Sequence, residues 1–162
     1  MLLLITASID DNFKINIGGC SVDALKAEYK TPLYIVDIAT VKNQCKRYLG
    51  AFNFNEFKTE IIYASKAFCT LAMCQLINKQ GLSIDVSTGG ELFAVIKSGF
   101  DAEKIYFHGN NKSVDEIKFG LDYKVGTFIV DNFDELKTLN KIAGEKERQQ
   151  KGDCLRACGI AI

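Results

Sequence analysis

Histidine occurs once in this chain, at His108, and none of its six cysteines stands in a C-x-x-C pair. A structural zinc site is therefore unsupported, and no metal is expected. Cys20, Cys45, Cys69, Cys74, Cys154 and Cys158 are read instead as reduced, mostly buried thiols. A net charge of one sign is missing too, because 20 lysines and arginines balance 20 aspartates and glutamates. No overall field exists to draw in nucleic acid or an anionic membrane, so a small molecule or a protein is the expected partner. Long apolar runs are lacking as well. The opening Met1-Leu2-Leu3-Leu4-Ile5 has no basic region and soon meets Asp10 and Asp11, which fits neither a signal peptide nor a membrane span. A cytoplasmic protein is expected.

What is present is enough apolar material for one globular domain: 48% of the 162 residues are hydrophobic and 25% charged. Four β-type runs, Glu60 to Ser65, Leu82 to Val86, Lys104 to Phe107 and Thr127 to Val130, alternate with helical patterns. Those helices are expected over Thr70 to Lys79, Gly90 to Ser98, Ser113 to Leu121 and Asn132 to Ile142. Ser113-Val114-Asp115-Glu116 reads as a capping-box start, and Gly81 and Gly99 stand just past two helix ends. Four consecutive β-α units imply a parallel sheet, either doubly wound or part of a barrel. Upstream, Thr31 to Asp37 reads as an extended strand and about Ile38 to Phe52 as an amphipathic helix, while Phe13 to Cys20 reads as an isolated strand in need of a partner.

Polar residues stand at or near the ends of the four runs: Lys66, Asp85, His108 and Asp131. In a barrel, strand ends meet around one pocket, so these four distant residues would converge. A partly desolvated lysine there would lose its proton more easily and could form a Schiff base. Each residue also has a plainer reading. Lys66 could snorkel from a strand end, Asp85 and Asp131 could cap the next helices, and His108 could be a satisfied buried imidazole. Gly89-Gly90 could be turn chemistry, with Glu91 a first-turn acid favoured by the helix dipole.

Tyr63-Ala64-Ser65-Lys66-Ala67, Ile84 to Leu92 with its Gly89-Gly90-Glu91, and Phe107-His108-Gly109-Asn110-Asn111-Lys112-Ser113 together resemble the N-terminal half of the diaminopimelate decarboxylases. Gly18-Gly19-Cys20 and Thr31-Pro32-Leu33-Tyr34 fit the same family, so the resemblance covers roughly residues 12 to 143. It implies an α/β fold, an incomplete (β/α)8 barrel of the alanine-racemase type with about four β-α units plus an N-terminal strand and helix. It also implies a pyridoxal 5'-phosphate enzyme converting meso-2,6-diaminopimelate to L-lysine and carbon dioxide. By that resemblance Lys66 would carry the cofactor as a Schiff base, Asp85 would help set its charge state with support from Glu91, and His108 would line the cofactor pocket. Head-to-tail homodimers with shared active sites are implied for the full-length family.

The expected domains are an arm over 1–30 whose strand pairs with a separate β-domain, half of the pyridoxal-binding barrel over 31–143, and an atypical tail over 144–162. Glu145 to Lys151 is a charge run, expected as a solvated helix end, and the family's fifth strand, second histidine, glycine-rich phosphate loop and Cys-Glu-Ser-Gly-Asp-like motif are not read in that tail. The tail has the look of another reading frame. The expectation is a truncated decarboxylase, inactive alone; the alternative is a non-catalytic half barrel or a split-enzyme subunit that needs a partner chain.

Overall fold

A computed structural model of the chain describes residues 4–53, 59–147 and 156–158. The chain divides into two compact units, Met1–Lys58 and Thr59–Ile162.

In the first unit, β1 (Ser8–Ile9), β2 (Ile15–Ile17) and β3 (Cys20–Ser21) form an antiparallel sheet. Residues of the strand expected to pair with a separate β-domain pair locally here, with Ile9 opposite Ile15 and Ile17 opposite Cys20 across a Gly18-Gly19 turn. Helices α1 (Val22–Tyr29) and α2 (Ile38–Ala51) follow. The first of them carries no expected pattern, and the second lies where its amphipathic period places it. No strand forms over 31–37. An extended preference without a neighbouring ladder is not a strand, and Pro32 has no N–H to offer one. Asp37 ends this stretch as the N-cap of α2, accepting from the Ala39 N–H at 3.0 Å. Its other oxygen accepts from the hydroxyls of Thr6, at 2.6 Å, and Thr40. Thr6 Oγ1 in turn accepts the Gly18 N–H at 2.9 Å, and Thr40 Oγ1 accepts the Ile5 N–H at 2.8 Å. One carboxylate therefore ties the N-terminal hairpin to α2.

The second unit holds β4 (Ile62–Ala64), α3 (Leu71–Lys79), β5 (Ser83–Val86), α4 (Gly89–Lys97), β6 (Ile105–Phe107), α5 (Val114–Asp122), β7 (Thr127–Ile129), α6 (Phe133–Glu147) and β8 (Arg156–Cys158). Its sheet is parallel, in the order β4-β5-β6-β7-β8. A doubly wound sheet would reverse that order at a switch point, whereas strictly sequential order is how a (β/α)8 barrel is laid down. The two readings left open by the sequence are separated by this order.

The fifth strand corrects the expectation that none exists in 144–162. Residues 156–158 pair with β7, Thr127 opposite Arg156 and Ile129 opposite Cys158. Three residues are too short to show a period of two, and what makes them a strand is the otherwise unpaired edge of β7. Helix α6 likewise runs to Glu147, beyond the expected Ile142, because glutamate and lysine are good helix formers even without an apolar stripe.

The strands of this sheet alternate instead of being apolar on both faces. Ile84, Val86, Ile105, Phe107 and Phe128 are essentially inaccessible to solvent, as are Cys74, Ile77, Leu92, Val95 and Ile117 from the helices. Each such aliphatic or aromatic side chain contributes about 1.5–3 kcal/mol by leaving water. Because parallel neighbours in register share a face, Ala64, Asp85, Tyr106 and Thr127 form one row on the opposite side. Parity thus puts Asp85 on the face opposite Ile84, Val86 and Phe107.

The helix starts match their sequence signals. Ser113 and Glu116 form the expected capping box on α5, and Thr88 with Glu91 forms a second on α4. Gly81 and Gly99, with φ of 82° and 77°, take the left-handed position just past α3 and α4.

Candidate active site at the strand ends

The C-terminal end of the parallel sheet collects the predicted residues. Lys66 lies in a 3-10 turn, Ser65–Ala67, directly after β4, with its side chain exposed. The Phe68 N–H donates to the Ser65 carbonyl at 3.0 Å, and the Tyr63 hydroxyl donates to the Phe68 carbonyl at 2.9 Å. These bonds fix the turn that presents Lys66.

Asp85 stands one strand over, in register with Ala64 and Tyr106. His108 follows β6, its N–H donating to the Val86 carbonyl at 2.8 Å, so that it extends the ladder beside Asp85. The His108 Nδ1 to Asp85 Oδ1 distance is 3.7 Å, too long for a hydrogen bond and short enough for electrostatic contact. Asp85 Oδ1 is buried and has no hydrogen-bond partner among the described residues. Burial accordingly pushes the Asp85 carboxyl above its ordinary range, an effect opposed by His108 and Lys66 and reinforced by the charge of Glu91. The Asp85 carboxyl thus feels both His108 and, more weakly, Lys66.

The capping readings fall away. Neither Asp85 nor Asp131 caps a helix: Thr88 caps α4, and Asn132 Oδ1 accepts the Glu135 N–H at the start of α6 at 2.9 Å. Asp131 is exposed, and its N–H donates to Glu135 at 3.4 Å. Glu91 is bound to its own loop, accepting from the N–H groups of Ser87 at 2.7 Å and Thr88 at 3.1 Å. It acts on Asp85 as a like charge.

Three features escaped the sequence reading. Lys112 and Glu135 form a buried ion pair of 2.7 Å, with side chains 1% and 5% exposed. Glu116 reaches back from α5 to accept the Gly89 N–H at the start of α4, at 2.7 Å. Glu60 accepts from the hydroxyls of Ser83 and, at 2.6 Å, Tyr106 on the Asp85 face. A signal for the first two existed: Thr88/Glu91, Ser113/Glu116 and Asn132/Glu135 share one cap-x-x-Glu spacing. That Glu116 and Glu135 also clasp the preceding loop has no local signature.

The donor set fits a carbonyl-bearing cofactor. An amine of the kind that attacks an aldehyde, an imidazole and a buried carboxyl oxygen without a partner among the described residues, Asp85 Oδ1, stand at the same end of the sheet.

A family model described as "Pyridoxal-dependent decarboxylase, pyridoxal binding domain" matches residues 38–151. The chain belongs to the pyridoxal-dependent decarboxylases. Among relatives of this family, the diaminopimelate decarboxylase of Bacillus methanolicus is 40% identical over 141 residues, 87% of this chain and 33% of the relative. That of Bacillus subtilis is 41% identical over 145 residues, 90% of this chain and 33% of the relative. The crystal structure of the M. jannaschii diaminopimelate decarboxylase in complex with L-lysine superposes with a TM-score of 0.84 at 36% identity, covering 90% of this chain and 34% of that one. The chain spans about a third of the length of these relatives. The parallel sheet is thus part of a pyridoxal-dependent decarboxylase barrel. Among the described residues no helix is long and apolar enough to cross a membrane.

Proposed function

We propose that this chain carries the lysine-bearing part of a diaminopimelate decarboxylase, the whole protein converting meso-2,6-diaminopimelate to L-lysine and carbon dioxide. The observation that carries the reading is the convergence of Lys66, Asp85 and His108 at one sheet end, in a chain about 40% identical to diaminopimelate decarboxylases. Pyridoxal phosphate supplies, when bound, a conjugated ring that accepts the electron pair left behind as a carboxylate departs.

The residues then have separable tasks. Lys66, presented by its 3-10 turn, is the residue that would hold the cofactor, through its side-chain nitrogen. Asp85 stabilises positive charge near Lys66, and burial raises its affinity for a proton. His108, beside Asp85, walls the same end and keeps its imidazole within reach of that carboxyl. A reducing compartment such as the cytoplasm suits Cys20, Cys45, Cys69 and Cys74, which form no disulfide.

Carbon dioxide release by the whole protein tests the substrate. It should be faster with meso-diaminopimelate than with L-lysine, L-ornithine or L-arginine. Faster release from one of the other three would move the chain to another branch of the family, and no release from any would favour a half barrel without catalysis.

A further inference from the structure

Lys112 is nearly inaccessible; its ammonium donates to the Gly109 carbonyl at 2.7 Å and the Ile129 carbonyl at 2.9 Å, and it stands in an ion pair 2.7 Å from Glu135 Oε1. It joins the loop after β6, the end of β7 and the first turn of α6, at the end of the sheet where Lys66, Asp85 and His108 stand. The bond to Gly109 matters most, because Gly109 follows His108 directly. That glycine sits at a φ of 111°, and a Cβ there would lie 2.7 Å from the Ser87 carbonyl oxygen. The loop therefore presses against the β5-α4 connection on one side and is held by Lys112 on the other. His108 is tied by its own N–H to β5 and by the next residue's carbonyl to Lys112.

We propose that Lys112 is a positioning residue for the active site, its grip on the Gly109 carbonyl setting where the His108 imidazole stands relative to Asp85. The proposal rests on the reading of Lys66, Asp85 and His108 as one site. Lys112 touches neither cofactor nor substrate in this account; it acts through His108. Support of the fold alone would be the competing role, since breaking a buried pair is destabilising whatever stands nearby, while replacing both partners with apolar groups is often neutral.

His108 is the only histidine, so its imidazole Cε1–H resonance can be followed by NMR in the whole chain without ambiguity. The readout is the displacement of that resonance caused by Asp85→Asn, measured in different backgrounds. In the wild-type background it should be clearly displaced. In K112M/E135L, which removes both buried charges and should restore resistance to urea relative to K112M, the displacement should be lost. An undiminished displacement in K112M/E135L would overturn the proposal. Should that variant fail to fold, the milder pair E135Q and K112Q decides. E135Q leaves Lys112 on Gly109 and should keep the displacement, whereas K112Q is too short to span the Gly109 and Ile129 carbonyls and should lose it. Equal behaviour of the two would assign Lys112 to stability alone. No displacement even in the wild-type background would remove the Asp85 and His108 coupling and this proposal with it, whereas cofactor attachment at Lys66 is read separately by chemical labelling.

Discussion

Asp37 and Asp85 are both largely withdrawn from solvent, one in each unit, and their proton affinities move in opposite directions. Asp37 is 7% exposed yet held down at about 2 by the hydroxyls of Thr40 and Thr6 and by backbone N–H groups, which favour the charged form. Asp85, with a side chain 19% exposed, is pushed up because its buried oxygen lacks such donors and desolvation prevails. Hydrogen bonds set the sign at Asp37, and desolvation sets it at Asp85. A satisfied carboxylate is a fastener, as Asp37 is between the N-terminal hairpin and α2. An unsatisfied one beside a lysine and a histidine has its bonding capacity left for something else.

The largest expected effect comes from taking the cation away from a buried, paired carboxylate. K112M leaves Glu135 buried without its cation and should lower the unfolding free energy by about 3–5 kcal/mol in urea titrations; a loss under about 1 kcal/mol would show that Glu135 finds other donors or water. T88A removes a hydroxyl that caps α4 and lies next to Ser87 in the site loop, and should lower stability by about 1 kcal/mol, with little effect if water replaces the cap.

Smaller, but more telling, is the sign of two isosteric changes. At neutral pH, D37N should lower the urea midpoint and D85N should raise it. Two shifts of the same sign would break the comparison. The pH dependence has the same logic. The Asp37 contribution is fully present above its unfolded value of 3.8 and fades as pH falls toward about 2. Asp85 binds its proton more tightly when folded, so its contribution is most favourable below 3.8 and is lost as pH rises through the raised folded value. Replacing Asp85 with asparagine should therefore flatten the dependence above pH 3.8, and replacing Asp37 should flatten it below. K14M should do least, since the Lys14 and Asp23 pair is exposed on both sides and such pairs contribute little.

The four β-α units were legible because each had two signals that agreed, an apolar run and a helix with its own cap or terminal glycine. Lys66, Asp85 and His108 were legible as strand-end residues, and only the structure shows that Asp85 and His108 approach within 3.7 Å. Three parts were hidden, each for a physical reason. β8 is made a strand by the edge of β7 and not by its own three residues. The local sheet of β1 to β3 rests on strands of two or three residues, too short to declare a period. The bond from Glu116 to Gly89 and the pair of Glu135 with Lys112 join positions far apart in sequence, so a capping motif announces the glutamate but not its second partner.

Reduction with borohydride after addition of pyridoxal phosphate, followed by peptide mapping of the whole chain, tests the central claim most directly. The account predicts a reduced cofactor on the peptide containing Lys66, and none there when the experiment is repeated with K66A. A chain that carries no label at Lys66, or carries it equally on exposed lysines such as Lys14 and Lys137, would contradict it.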